Sequence, residues 1–301
     1  MTPMPVPPFG RLLTAMVTPF TADGSLDLDT AASLATYLVD ELGHDGLVVS
    51  GTTGESPTTS DAEKADLLRV VLEAVGDRAS VLTGVGTFDT RHTVELATEA
   101  AKVGAHGLLA VTPYYSKPPQ AGLLQHFRTV ADATDLPVML YDIPGRAGVA
   151  LATETLLALA EHPRVVAVKD AKSDLIATAA VTAATDLAYY SGEDALTLPL
   201  LSVGAVGIVG TSTHFSALGT RAMIEAYLAG DVEQALALHR SLLPIYTGVF
   251  ATQGVILVKA GLALQGRPVG GLRPPLVPAT ADETAALARS LTAAGLPAGP
   301  V

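Results

Sequence analysis

Lys169 ends a valine-rich run, "RVVAVKDA" (164–171), that reads as a buried β-strand. An ammonium in such a place is costly unless it is paired or neutralised. A desolvated, neutral lysine can instead attack a ketone and form a Schiff base. The resulting iminium is an electron sink, so a neighbouring carbon can shed a proton and become an enamine nucleophile. That step needs a proton carrier. Tyr141, in "PVMLYDIP" (137–144), ends the preceding strand-like run at a matching height. Tyr115 in "TPYYSKPP" and the hydroxyls of Thr52 and Thr53 in "SGTTGES" can complete a relay. The backbone N–H groups of "GTTGE" suit a carboxylate, as turn amides do. The bland reading is that Lys169 reaches solvent and pairs with Asp170 or Asp174, Tyr141 packs the core, "TTG" is a turn and Arg146 is a surface loop residue. Each residue alone is weak; their convergence on neighbouring strand ends carries the chemical reading.

The elements that must position them follow from hydrophobic pattern. Short apolar, β-rich runs recur at 11–20, 46–51, 80–86, 107–113, 137–144, 165–171, 187–193 and 205–211. Segments of helical period separate them. "SDAEKADLLRVVLEAVG" opens on a Ser60/Glu63 capping box and closes on glycine, and "TRHTVELATEAAKVGA" is expected to start at Thr90 as N-cap and stop at Gly104. Eight strands alternating with helices predict an α/β fold, a (β/α)8 TIM barrel, whose site lies at the C-terminal strand ends. The runs are apolar throughout, as strands covered on both faces should be. An open doubly wound sheet is the runner-up, but no Gly-rich dinucleotide loop follows the first strand. After about residue 214 the pattern is helical. The expected division is a barrel over 1–224 and a C-terminal helical domain over 225–301, with "RPVGGLRPPLVPAT" (267–280) an ordered loop.

Composition narrows the chemistry. The 301 residues carry a formal charge of −12, which repels phosphate backbones and argues against nucleic acid. There is no cysteine, hence no thiolate or Cys-zinc chemistry, and the seven histidines are scattered, each expected at the surface or partly buried on a helix or turn rather than as a ligand. No metal site and no cofactor are expected, and no G-x-S-x-G elbow supports a serine triad. "MTPMPVPPFGR" lacks the form of a signal peptide. The uncharged stretch 195–213 approaches the length of a membrane span, but Pro199 and its glycines favour a short buried helix followed by a strand. The expected compartment is the cytosol.

"GTTGES", "TPYYSKPPQ", "LYDIPGR" and "VAVKDA", in that order and spacing, resemble the pyruvate-dependent class I aldolases, the family that includes N-acetylneuraminate lyase, over nearly the whole chain. The arginine of "PGRAG" narrows the resemblance to the dihydrodipicolinate synthase branch. It implies that Lys169 forms the Schiff base with pyruvate and Tyr141 shuttles protons. Thr52 would link Tyr141 to Tyr115, which in this family comes from the neighbouring subunit. Thr53 would hold the pyruvate carboxylate, with the carbonyl of Val209 lining the pocket. Arg146 would bind the carboxylate of L-aspartate 4-semialdehyde, its donor fork matching a carboxylate. A homotetramer, built as a dimer of dimers, is implied, and the covalent adduct replaces any cofactor. The rival readings are a sister aldolase acting on a sugar acid or other aldehyde, and a keto-acid sensor.

Some members are inhibited by lysine at a site of His, Asn and Glu beside "GES". The matching positions here carry Pro57, Asp61, Lys64, Phe88 and His92, while Ser56 and Tyr114 remain. Lys64 would repel the incoming ammonium and Phe88 offers its carboxylate no hydrogen bond, so lysine feedback is expected to be weak or absent.

Overall fold

The computed structural model describes residues 6–299. The first five residues of the Pro-rich N-terminal stretch, and the last two of the chain, lie outside that range. Eight parallel strands form a closed barrel in sequence order: β1 (Leu12–Ala15), β2 (Gly46–Val49), β3 (Ser80–Gly84), β4 (Gly107–Val111), β5 (Val138–Asp142), β6 (Val165–Asp170), β7 (Ala188–Ser191) and β8 (Gly207–Gly210). The helices on the outside are α1 (Leu28–Thr36), α2 (Asp61–Val75), α3 (Thr90–Val103), α4 (Gln120–Asp132), α5 (Pro144–Ala147), α6 (Thr153–Ala160), α7 (Leu175–Ala184), α8 (Thr197–Leu201) and α9 (Thr213–Leu228). Helices α10 (Val232–Gly248), α11 (Gly254–Leu264) and α12 (Ala281–Ala293) follow the barrel. The expected division at 224/225 falls inside α9.

The all-apolar strands have two jobs. Side chains alternate across a strand. Leu108, Ala110, Val138, Leu140 and Val168 join the core between strands and helices. Leu109, Met139, Tyr141 and Ala167 face the barrel interior. Tyr141 and Lys169 share a phase with Met139 and Ala167 respectively, so both project inward. The register makes them neighbours, Tyr141 opposite Lys169.

Local signals behave as their chemistry demands, with one shift. Ser60 Oγ accepts from Glu63 N–H, and Glu63 Oε2 accepts from Ser60 N–H at 2.8 Å, closing the expected box. Helix α3 is capped by Asp89 rather than Thr90: the Asp89 carboxylate accepts from Arg91 N–H at 2.9 Å. Thr90 spends its hydroxyl on His126 Nδ1, 2.9 Å away. The stretch 195–213 resolves into α8 and β8, and no described helix is long and apolar enough to cross a membrane.

The expectation for the histidines fails at three positions. His44, His126 and His214 are buried. Burial drives each pKa down to about 4, so the rings stay neutral at pH 7. For His44 the backbone fixes the tautomer: Nδ1–H donates to Leu38 O at 2.7 Å, leaving Nε2 for Thr14 Oγ1 at 2.6 Å. Among the described residues no group of His, Asp and Glu converges in the manner of a metal site.

Candidate active site

At the C-terminal mouth of the barrel lie two adjoining cavities of about 330 and 390 Å³. Thr52, Tyr141, Ile143, Arg146 and Gln253 line both; Lys169, Thr53, Glu193 and Thr211 line the second.

Lys169 is 4 % exposed, and its Nζ sits 4.4 Å from the centroid of the Tyr141 ring. Neither aspartate of the bland reading serves it. Asp170 accepts from Lys172 N–H, Ser173 N–H and the Thr178 hydroxyl on the outer face of β6. Asp174 caps α7 through Ala177 N–H. Desolvation lowers the Lys169 pKa from the ordinary 10.5 to about 8, with Asp194 opposing and Arg146 adding to the shift. Gly192 packs closely beside it: a Cβ there would stand 3.0 Å from Lys169 Cγ, so the lysine stem would have to shift by a few tenths of an ångström.

Tyr141 is buried, and burial pushes its phenol up to about 12; Arg146 and a hydrogen bond with the Thr52 side chain oppose the rise. It is a protonated hydroxyl at neutral pH. Thr52 and Thr53 ride on the loop after β2, between Ser50 (φ 53°) and Glu55 (φ 55°). Left-handed backbone at a side chain other than glycine costs on the order of 1–2 kcal/mol per residue, so surrounding contacts must hold this loop. The Thr53 and Thr211 hydroxyls meet across the barrel, 3.3 Å apart.

Arg146 stands on α5, a single turn begun by Pro144 and closed by Gly148 at φ 79°. Its Nη2 donates to Gln253 Oε1 at 2.7 Å, which aims the guanidinium across the mouth. Gln253, from the segment before α11, escaped the sequence reading because nothing local links it to a residue in another element. Asp194 escaped too, although it directly follows the seventh β-rich run, 187–193. It is fully buried and accepts from Thr211 N–H, Ser212 N–H (2.8 Å) and the Ser212 hydroxyl (2.5 Å), tying the end of β7 to the start of α9. Burial nonetheless raises its pKa.

Two expected residues line neither cavity within this single chain. Tyr115 does not enter this mouth: it is 91 % exposed, at φ 75°. Its neighbour Tyr114 lines the first cavity and packs edge-on against Phe88, centroids 5.6 Å apart. Val209 is buried within β8, opposite Leu13, and is not among the residues lining either cavity; Thr211 is the lining residue from that stretch.

Comparison with known proteins agrees with this fold. Residues 8–294 match the Dihydrodipicolinate synthetase family. A 4-hydroxy-tetrahydrodipicolinate synthase of Acidothermus cellulolyticus is 70% identical over 288 residues, 96% of this chain and 93% of that protein. 4-Hydroxy-tetrahydrodipicolinate synthase 2 of Streptomyces coelicolor is 62% identical over 98% of both chains. Among solved structures, the synthase of Cyanidioschyzon merolae with lysine bound superposes with a TM-score of 0.93 at 42% identity, over 96% of this chain and 99% of that one.

Proposed function

The chain belongs to the dihydrodipicolinate synthetase family, and from that premise we propose that the cleft around Lys169 is its catalytic centre. The reaction is the condensation of pyruvate with L-aspartate 4-semialdehyde to 4-hydroxy-tetrahydrodipicolinate, in lysine and diaminopimelate biosynthesis. The observation that carries the site is the in-register pair Tyr141 and Lys169, inward-facing on adjoining strands at the cavity floor. The neutral Lys169 amine attacks C2 of pyruvate; loss of water leaves the iminium. Thr53 and the backbone amides of its loop hold the pyruvate carboxylate, with the Val209 carbonyl behind them. The methyl carbon gives up a proton through Tyr141 and Thr52, and the enamine carbon attacks the aldehyde. Arg146, held by Gln253, takes the semialdehyde carboxylate. The new alkoxide takes a proton back along the same relay. The product's own amino group then displaces Lys169 and closes the ring. The covalent adduct supplies the electron sink, so the proposal calls on no further cofactor. The proposed compartment is the cytosol, where both substrates are metabolic intermediates.

Borohydride trapping with pyruvate, followed by peptide mapping, tests the nucleophile. The expected result is one reduced adduct, on Lys169, whose rate of formation rises with pH and levels off above about 8. At pH 7.5 a lysine of pKa 8 is roughly one quarter neutral, against roughly one thousandth for an unshifted side chain. A rate still climbing at pH 10 contradicts the desolvated amine; an adduct on another residue contradicts the site.

Tyr115 completes the relay from a second copy of the chain, within a proposed dimer of dimers. Its exposure and left-handed backbone support this, as does the 64 % exposed Phe88 nearby. Mixing inactive Tyr115→Phe and Lys169→Ala chains then restores one working site in each mixed dimer, about a quarter of native activity after full exchange. No recovery after confirmed exchange means that Tyr115 acts within its own chain or not at all.

Free lysine is expected to leave the rate nearly unchanged up to roughly 1 mM, a ceiling that corresponds to weak binding. Asp61 is already paired with His92 at 2.8 Å, and the Lys64 ammonium donates to Thr59 O at 2.5 Å. Beside the retained Ser56 and Tyr114, the groups left to meet a lysine ligand are therefore a cation and the Phe88 ring. Steady-state inhibition in the micromolar range would overturn this.

A further inference from the structure

The helices that follow the barrel reach into the loop that carries Thr52 and Thr53. Glu55, at the left-handed end of that loop, turns its carboxylate inward, where none of it meets solvent. Glu55 Oε1 lies 2.7 Å from Lys259 Nζ, on α11, and Glu55 Oε2 accepts the Arg273 backbone N–H at 3.0 Å. Lys259 is itself buried and donates to Gly271 O at 2.5 Å.

Arg273 grips the chain just beyond that loop, where it runs into α2. Its fork donates to the Glu63 carboxylate at 2.5 and 2.9 Å, to Thr58 O at 2.8 Å and to Gly24 O. Glu63 is the carboxylate of the capping box that starts α2. Lys259 Nζ and the Arg273 guanidinium both lie over the Phe20 ring, 4.4 and 4.3 Å from its centroid. The 269–273 segment docks so closely that a Cβ on Gly270 (φ 77°) would collide with the Phe20 carbonyl. Inside the loop, Gly54 O accepts the Thr18 hydroxyl at 2.6 Å, a further tie to the end of β1.

Lys259 and Arg273 line neither cavity, and Glu55 lines only the first, not the one that holds Lys169. Yet they fix the C-terminal end of a loop whose backbone is left-handed at Ser50 and Glu55. We propose that Glu55, Lys259 and Arg273 form a clamp from the C-terminal helices, and are positioning residues that set Thr52 and Thr53 against the pyruvate carboxylate. The inference rests on assigning that carboxylate to the Thr52–Thr53 loop. A buried ion pair alone is a poor stabiliser, and replacing both partners by uncharged groups is often harmless to folding. Its placement where the substrate loop turns left-handed at Glu55 gives it a second use.

The test uses the full chain with Glu55→Gln, Lys259→Met and the double variant. Melting temperature is read beside the pyruvate concentration that half-saturates adduct trapping and the KM for the semialdehyde. In the double variant no charge is left buried and unpaired, so melting returns to near native. Half-saturation by pyruvate is expected to stay raised by roughly tenfold or more, because the loop is no longer pinned, while the semialdehyde KM shifts by less than about twofold. If melting and pyruvate saturation recover together, the pair only balances charge and the clamp is wrong. If Lys259→Met does not fold, the double variant carries the same contrast. A native chain that forms no pyruvate adduct at all removes the carboxylate assignment itself; a native adduct with unchanged saturation in the variants removes the clamp alone.

Discussion

Lys169→Ala is expected to lower kcat/KM for the condensation by about 10⁴-fold or more, because the covalent route is lost and not merely weakened. Lys169→Arg should be equally inactive, since a guanidinium stays protonated and cannot attack a carbonyl. The companion expectation concerns stability and answers why a strand carries a lysine. The folded pKa of Lys169 is about 8 and its ordinary value 10.5. A lysine depressed in this way works against folding: the penalty is fully present below pH 8 and fades as pH rises through the unfolded value. A shift of that size corresponds to on the order of 3 kcal/mol. Lys169→Met keeps the stem and removes the charge, so it should melt at or above the native temperature at pH 7, with the gap closing toward pH 10. Thermal melts across that range check it; a variant that melts well below the native chain would mean that the ammonium holds the barrel together. The lysine is then a cost borne by the fold for the reactivity of its amine.

Tyr141→Phe is expected to reduce kcat by about 10²- to 10⁴-fold, the range for losing a positioned proton carrier. The ring remains, so the buried contacts of Tyr141 with the barrel interior remain. Pyruvate should still bind and still reach Lys169, and its KM should change far less than kcat. Because burial pushes the phenol up to about 12, the native group stays protonated through the working range and acts as a donor that must be re-protonated through Thr52. Raising the pH to 10 should therefore neither switch off the native enzyme through this group nor rescue the phenylalanine variant. Comparing kcat–pH profiles of both proteins decides the matter. A variant with kcat near native would move the relay to another hydroxyl, and Thr53 and Thr211, 3.3 Å apart in the same cavity, would be the next to replace.

The clamp around Glu55 changes how the C-terminal helices are understood. They share one core with the outer barrel: Tyr246, Leu257 and Leu287 belong to the same apolar cluster as Leu47 and Val81. Their charged residues do something more specific, reaching the strained loop on which two active-site threonines ride. Arg146 depends on the same region through Gln253. On the proposed assignment, both substrate carboxylates meet groups that the post-barrel segments hold in place.

What the chain's sequence determined by itself was everything with a short period. Alternation of valine and leucine runs with helical segments was enough for eight strands and a barrel. Spacing within "PVMLYD" and "VVAVKD" put Tyr141 and Lys169 at matching heights on neighbouring strands, while the inward phase of both emerged only in the closed barrel. Ser60 and Glu63 announced a capping box because both partners lie within one helical turn. Tertiary structure alone decided what depends on closure. Glu55 meets Lys259, and Arg146 meets Gln253, across separations of the chain that carry no local signal. Asp194 became the buried anchor of Thr211 and Ser212 only once β7 and β8 were side by side. The same closure turned His44 and His214 inward as neutral rings and left Tyr115 exposed at the chain's own surface. A residue's type and phase state which way its side chain points from its own element. Which element stands opposite is set by how eight strands close on one another, and that is where burial, and with it the reactivity of Lys169, is decided.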